Sequence, residues 1–160
     1  MSETFFISDT HFGHKGILEY EPIHRPFSCV EDMNEAIIER WNKVVNKHDK
    51  VYHLGDFCFG KSNMTIADRL NGQKRLVMGN HDCYPASEYL KYFLSIHGVL
   101  FLKDIVMTHV PVHLSQLEHR SKYNIHGHLH SKKLDDKRYI CVSVEQNNLT
   151  PVNMDEIKFV

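Results

Sequence analysis

With 160 residues, 42% of them apolar and 24% charged, the chain has a globular composition and enough length to bury a core without staples. Its formal net charge of -1 leaves no basic footprint for nucleic acid or an acidic membrane. No stretch approaches the roughly 18 apolar residues of a membrane span.

Met1 to Ile7 has neither the basic nor the long apolar segment of a secretory leader. Cys29, Cys58, Cys83 and Cys141 form no C-x-x-C pair, and scattered thiols suit a reduced, cytoplasmic protein. No repeat, linker or low-complexity stretch divides the chain, so residues 1–160 read as one domain. The 13 histidines stand out, because imidazole is both a common metal ligand and the neutral-pH acid or base.

In chain order, Thr4–Ser8 is a short apolar run of strand type, and Asp9 and His11 follow it. Met33, Ala36, Ile37, Trp41, Val44 and Val45 recur at three- and four-residue spacing, which predicts an amphipathic helix. Ser28 and Glu31 fit a capping box at its start. Lys50–Leu54 is a second strand, leading to Gly55-Asp56. A shorter helix is predicted over Met64–Leu70, stopping near Gly72. Arg75–Met78 is a third strand and runs into Gly79-Asn80-His81-Asp82. Another helix is predicted from about Pro85 to Ile96. Strands then dominate: Val99–Leu102; Ile105–Thr108, followed by His109; Tyr123–His126, followed by Gly127-His128-Leu129-His130; and Arg138–Val144. Strands alternating with helices early, then mostly strands, indicate an α/β layered fold. Polar groups at the carboxyl ends of strands in an open sheet converge on one crevice.

The converging set is two carboxylates, one amide and four imidazoles: Asp9, His11, Asp56, Asn80, His109, His128 and His130. No thiolate joins it, which disfavours a Cys-rich structural zinc site. Seven ligands exceed the needs of one tetrahedral ion but suit two divalent ions sharing a carboxylate. Mixed oxygen and nitrogen ligation fits Mn, Fe, Zn or Ni, with geometry rather than raw affinity deciding among them, and Mn is the expected ion. Two such ions, about 3.5–4 Å apart, can clamp the attacking and leaving oxygens of an in-line displacement.

Taken together, Asp9-Thr10-His11, Gly55-Asp56, Gly79-Asn80-His81-Asp82, His109 and Gly127-His128-Leu129-His130 resemble the five signature blocks of the calcineurin-like metallophosphoesterases, in order. The stretch Ile7–His14 with Arg25-Pro26-Phe27 is similar to small bacterial and phage members. The resemblance implies a β-sandwich of two mixed sheets flanked by helices. It also implies Asp9, His11, Asp56 and His130 around one metal and Asp56, Asn80, His109 and His128 around the other, with Asp56 bridging. On the same ground His81 stabilises the transition state or protonates the leaving oxygen, and Asp82 orients the site.

Outside these blocks, His14 lies close enough to His11 to face a substrate. Arg25 and Arg120 are candidate phosphate contacts, because a guanidinium fork matches phosphate oxygens. His53 suits a hydrogen-bonded core position, and Phe57 and Phe59 either wall the cleft or pack in the core. The expected substrate is a small phosphorylated molecule in an open cleft. Few cations flank the blocks, which favours a diester over a monoester or nucleotide monophosphate. Near-neutral charge and a single Trp give no groove for single-stranded nucleic acid. A catalytically silent metal-binding module is the competing reading, against which every block, His81 included, is present.

Overall fold

In the computed structural model, which describes residues 1–160, the chain order is β1 (Thr4–Ile7), α1 (Ile17–Tyr20), α2 (Val30–Val44), β2 (Lys50–His53), a 3-10 helical segment (Lys61–Arg69), β3 (Gln73–Val77) and α3 (Ala86–Tyr89). The remainder is β4 (Ile96–His97), β5 (Leu100–Leu102), β6 (Ile105–Thr108), β7 (Tyr123–His126), β8 (Tyr139–Cys141) and β9 (Val152–Asn153), with short 3-10 turns between the later strands. The strands form two mixed sheets, ordered β4-β3-β2-β1-β9 and β5-β6-β7-β8. In the first only β9 is antiparallel to its neighbour; in the second only β5 is. This is the β-sandwich with flanking helices that the signature blocks imply.

Alternation along the strands divides the core into two layers. Phe5 and Ile7 of β1 pack with Val51 and Leu76 against Met33, Ile37 and Trp41 of α2. Phe6, between them, points the other way, joining Leu54 and Val77 against Ile105, Met107, Ile125 and Val142 of the second sheet. Each fully buried side chain of this size contributes about 1.5–3 kcal/mol. Trp41, wholly buried, donates its indole N–H to Asn71 O at 2.9 Å.

The sheets meet at the carboxyl ends of β1 and β8. Ser8 bridges to Ser143, its N–H donating to Val142 O at 3.0 Å while its carbonyl accepts from Val144 at 3.1 Å. Leu54 N–H then bonds Ile7 O at 2.8 Å, and Gly127 N–H bonds His109 O at 2.9 Å. The ends of β1, β2, β6, β7 and β8 therefore share one seam.

Several local expectations are corrected. The α2 helix begins at Val30 with Cys29 as its N-cap and no side-chain capping bond, so Ser28 and Glu31 form no capping box. Ser28 lies one position too early to reach the orphan N–H groups. Glu31 and Asp32 instead place negative charge at the positive end of the helix dipole. The Lys61–Arg69 segment is 3-10 rather than α. Asn63 and Thr65 bond the carbonyls of Phe59 and Ser62, which competes with the helical ladder. The helix expected to reach Ile96 stops at Tyr89. Beyond it the chain must return to the sheet edge, where Leu76 N–H bonds Ser95 O at 3.0 Å and β4 forms. Neither β4 nor β9 is visible in the sequence, since a two-residue strand has no periodicity to read.

Candidate metal centre

Five of the eight non-glycine residues with positive φ lie in the signature blocks: Asp9 (59°), His11 (50°), Asp56 (56°), His128 (69°) and His130 (53°). Such backbone is costly for residues with a Cβ and persists only where the surroundings over-determine it. Here it turns successive side chains back towards the seam. Asp9 N–H bonds Gly55 O at 2.9 Å and His11 N–H bonds Asp56 O at 3.1 Å, tying the first two loops together.

Asp9, His11, Asp56 and His109 are buried. Two groups of ligand atoms gather within 4.8 Å of one another, Asp9 with His11 and His130, and Asp9 with Asp56 and His109. Asp56 Oδ2 lies 3.5 Å from His11 Nε2 and 3.3 Å from His109 Nε2, so a single oxygen faces both sides. Asp9 Oδ1 lies 3.8 Å from His11 Nε2 and 3.7 Å from His130 Nε2. Nearer the mouth, Asn80 Oδ1 is 2.9 Å from His109 Nε2 and 3.0 Å from His128 Nδ1. The structure thus brings all seven candidate ligands together.

The donor set fits divalent cations. Asp9 Oδ1 and His11 Nε2 are buried with no hydrogen-bond partner in the protein, a costly arrangement unless a cation meets them. The outer ring nitrogens are fixed from behind: His109 Nδ1 lies 2.7 Å from Leu54 O and His130 Nδ1 lies 3.0 Å from Glu145 Oε1. With Nδ1 donating to these acceptors, Nε2 is the nitrogen that faces the carboxylates and the one that a cation, displacing a proton, would take.

Burial alone would raise the carboxyl of Asp9, yet the imidazole of His11 beside it and the charges of His109 and His130 outweigh it and hold it well below the usual range. Asp56 is likewise lowered against burial, chiefly through the imidazoles of His109 and His11 beside it. Burial opposes protonation of His109, but the carboxylate of Asp56 wins and lifts it to about 8. His130 is raised the same way, by Glu145. Two ionised carboxylates inside protein therefore draw positive charge to this site, from protons or from a cation.

Asp82 is buried. Its Oδ2 accepts from Asp56 N–H at 2.7 Å and Gly79 N–H at 2.8 Å, and its Oδ1 from Phe57 N–H at 3.1 Å. Glycine at 79 is a steric requirement, since a Cβ would overlap Asp56 Oδ1. The ring of His81 is exposed and stands over the cluster, 5.8 Å from the ring of His11, while its N–H donates to Asp56 Oδ1 at 2.9 Å.

A cavity of about 420 Å³ opens beside these groups, lined by His11, His14, Ile17, Tyr20, Glu21, Phe59, His81 and His130. His14 does face it. Its ring stacks on Phe59 at 3.7 Å, and burial together with the charges of His11 and His81 pushes its pKa down to about 4. Phe59 walls the cavity, whereas Phe57 is a core residue.

Two substrate candidates are placed elsewhere. Arg25 is 1% exposed and its guanidinium is engaged by Glu145 and by the carbonyls of Asp9 and Thr10, so no N–H is left for a phosphate. Arg120 lies over the ring of Phe101 at 4.0 Å, in a separate depression against the second sheet. His53 is a core histidine: Nδ1 accepts from Gly55 N–H at 3.2 Å and Nε2 is 3.0 Å from Thr10 Oγ1, with burial holding its pKa near about 3.

Sequence reasoning passed over Ser143, which donates to Asp9 Oδ2 at 2.8 Å, and Glu145, which meets His130. The signal was available. Arg138–Val144 ends in a carboxylate just as the earlier strands do.

The model of the calcineurin-like phosphoesterase superfamily domain matches residues 3–153. An uncharacterised protein of Methanocaldococcus jannaschii is 36% identical over 168 aligned positions, covering 98% of this chain and 90% of its own. The gene 66 protein of Mycobacterium phage L5 is 30% identical, over 82% of this chain and 79% of its own. Among solved structures, a protein of unknown function from Aquifex aeolicus superposes with a TM-score of 0.78 at 30% identity, over 98% of both chains. With a family match across almost its whole length and the family's blocks assembled at one seam, this chain belongs to the calcineurin-like phosphoesterase superfamily.

Proposed function

We propose that this protein hydrolyses phosphodiesters with two divalent metal ions, Mn by preference. Asp9, His11, Asp56 and His130 would hold one ion and Asp56, Asn80, His109 and His128 the other. The position of Asp56 Oδ2 between His11 and His109 supports a shared carboxylate. When bound, such ions supply Lewis-acid charge that activates water and offsets the charge of the phosphoryl oxygens. The chain's own residues do the rest. Asp82 fixes the backbone that presents Asp56. Ser143 and the N–H of His128 hold Asp9 Oδ2, leaving Oδ1 for a cation. His81, with its ring exposed at the cavity and outside the ligand cluster, would donate a proton to the leaving oxygen.

The diester preference rests on one observation: the cavity lining contains no lysine or arginine. A monoester dianion calls for a further cation, whereas a diester monoanion calls for room for its second substituent. Ile17, Tyr20 and Phe59 give that room an apolar wall. No helix is long and apolar enough to cross a membrane, and four free thiols suit work in the reducing cytoplasm.

The test is the ratio of kcat/KM for bis-p-nitrophenyl phosphate to that for p-nitrophenyl phosphate, at neutral pH with Mn. A ratio above one is expected. Preference for the monoester would overturn the diester assignment alone, and no turnover of either ester with Mn, Fe, Zn or Ni would overturn the hydrolase reading.

A further inference from the structure

Behind the candidate metal centre lies a buried ion pair whose partners are 120 residues apart in sequence. Arg25 and Glu145 have side chains with no solvent exposure. Arg25 Nε donates to Glu145 Oε1 at 2.7 Å, and Nη2 lies 2.6 Å from the same oxygen. The other side of the guanidinium donates to Thr10 O at 3.0 Å and to Asp9 O, and touches Met33 Sδ at 3.4 Å. The same Glu145 oxygen accepts from His130 Nδ1 at 3.0 Å.

One guanidinium thus reaches the Asp9-Thr10 carbonyls directly and His130 through Glu145. Of these, Asp9 and His130 take left-handed backbone, as does His11 next along the same loop. A buried ion pair is poor evidence for a stabilising device, since desolvation roughly cancels its attraction. Its geometry here is specific in a way that stability does not require. Charge balance matters too: without Arg25, Glu145 would be a further carboxylate beside the ligands, free to draw His130 out of place.

We propose that Arg25 and Glu145 are a positioning pair, which fixes His130 as its Nδ1–H tautomer and holds the Asp9–His11 loop so that Asp9, His11 and His130 are arrayed before a cation arrives. The inference rests on the metal reading for its consequence but not for its geometry. Neither residue touches substrate or metal. Their worth lies in the coordination geometry of one half of the site, while the half formed by Asn80, His109 and His128 does not depend on them.

The experiment uses the full chain in two variants. R25M/E145L replaces the pair with apolar side chains of similar size, a swap that buried ion pairs often tolerate. E145Q is nearly isosteric and keeps a neutral acceptor oxygen. In metal-free, 15N-labelled protein, long-range 1H–15N spectra read the His130 tautomer. The wild type is expected to be Nδ1–H, and R25M/E145L a mixture of tautomers. Calorimetric titration with MnCl2 is expected to give two ions in the wild type. In R25M/E145L one of the two should weaken about 10–100-fold while the other is unchanged, the usual effect of removing a ligand's outer partner. E145Q should weaken the same ion about tenfold. Wild-type tautomer and wild-type affinity for both ions in a folded R25M/E145L would overturn the proposal. Should that variant fail to fold, the same pair of results in E145Q would overturn it. A wild type that binds no Mn defeats the metal reading instead, and the tautomer spectra then decide the positioning role alone.

Discussion

The carboxylate of Asp82 holds the backbone of Asp56: Oδ2 accepts the Asp56 N–H at 2.7 Å, while Oδ1 takes the next N–H, that of Phe57, at 3.1 Å. Asp56 sits at φ 56°, and Asp82 is what stabilises that turn, with Gly79 N–H as a third donor. Asp82→Ala should therefore orphan the buried N–H groups of Asp56 and Phe57, each costing about 1–3 kcal/mol, and the half-buried N–H of Gly79. A large fall in Tm of the metal-free protein is the expected outcome, read by calorimetry. A fall of under two or three degrees would show that water or a rearranged loop replaces the carboxylate.

Asp56 and His81 are neighbours with separable roles. Asp56→Asn should lower metal occupancy and nearly abolish turnover, because it weakens the carboxylate oxygen that lies 3.5 Å from His11 Nε2 and 3.3 Å from His109 Nε2. The His81 ring makes no hydrogen bond that the fold needs, so His81→Ala should keep both Tm and metal content. It should lower kcat by about 10²–10⁴-fold, the usual worth of one positioned acid or base. Elemental analysis beside steady-state kinetics checks both variants. Metal loss in His81→Ala would remove His81 from its assigned role.

Gly127 has no positive φ, so its demand is one of space. A Cβ there would overlap Ser8 Oγ and lie 2.5 Å from Asp9 Oδ2. Gly127→Ala should displace the Asp9 carboxylate, costing about 1–3 kcal/mol of stability through overpacking. Metal affinity should fall with it, which calorimetric Mn titration reads directly. Unchanged affinity would mean that Ser8 gives way while Asp9 stays put.

Metal should also stabilise the fold. Asp9 Oδ1 and His11 Nε2 are buried without partners, and a ligand that binds only the native state at 100 times its Kd adds about 2.7 kcal/mol. Saturating Mn should raise Tm by several degrees and chelation should reverse it, with activity following the same cycle. A Tm indifferent to Mn, Zn and chelator alike would contradict the two-ion proposal.

The sequence by itself determined the order of the strands that carry the site and the residue types at their ends. Both are local: an apolar run of strand length ending in Asp, Asn or His is readable wherever it occurs. It could place Asp9, Asp56, Asn80, His109, His128 and His130 at strand ends, but not say which nitrogen of each imidazole faces inward. Only the tertiary structure decided the distant matters. Arg25 looked like a phosphate contact because a solvated guanidinium and a buried one have the same letter; Glu145, 120 residues away, is what buries it. Arg120 comes just before β7, at the end of that strand opposite the site, where it rests on Phe101. The helix after Pro85 was cut short and β4 created because Leu76 and Met78 needed backbone acceptors from Ser95 and His97. Hydrogen-bond demand at a sheet edge and charge demand in a core belong to pairs of residues, and a pair exists only once the fold has brought its members together.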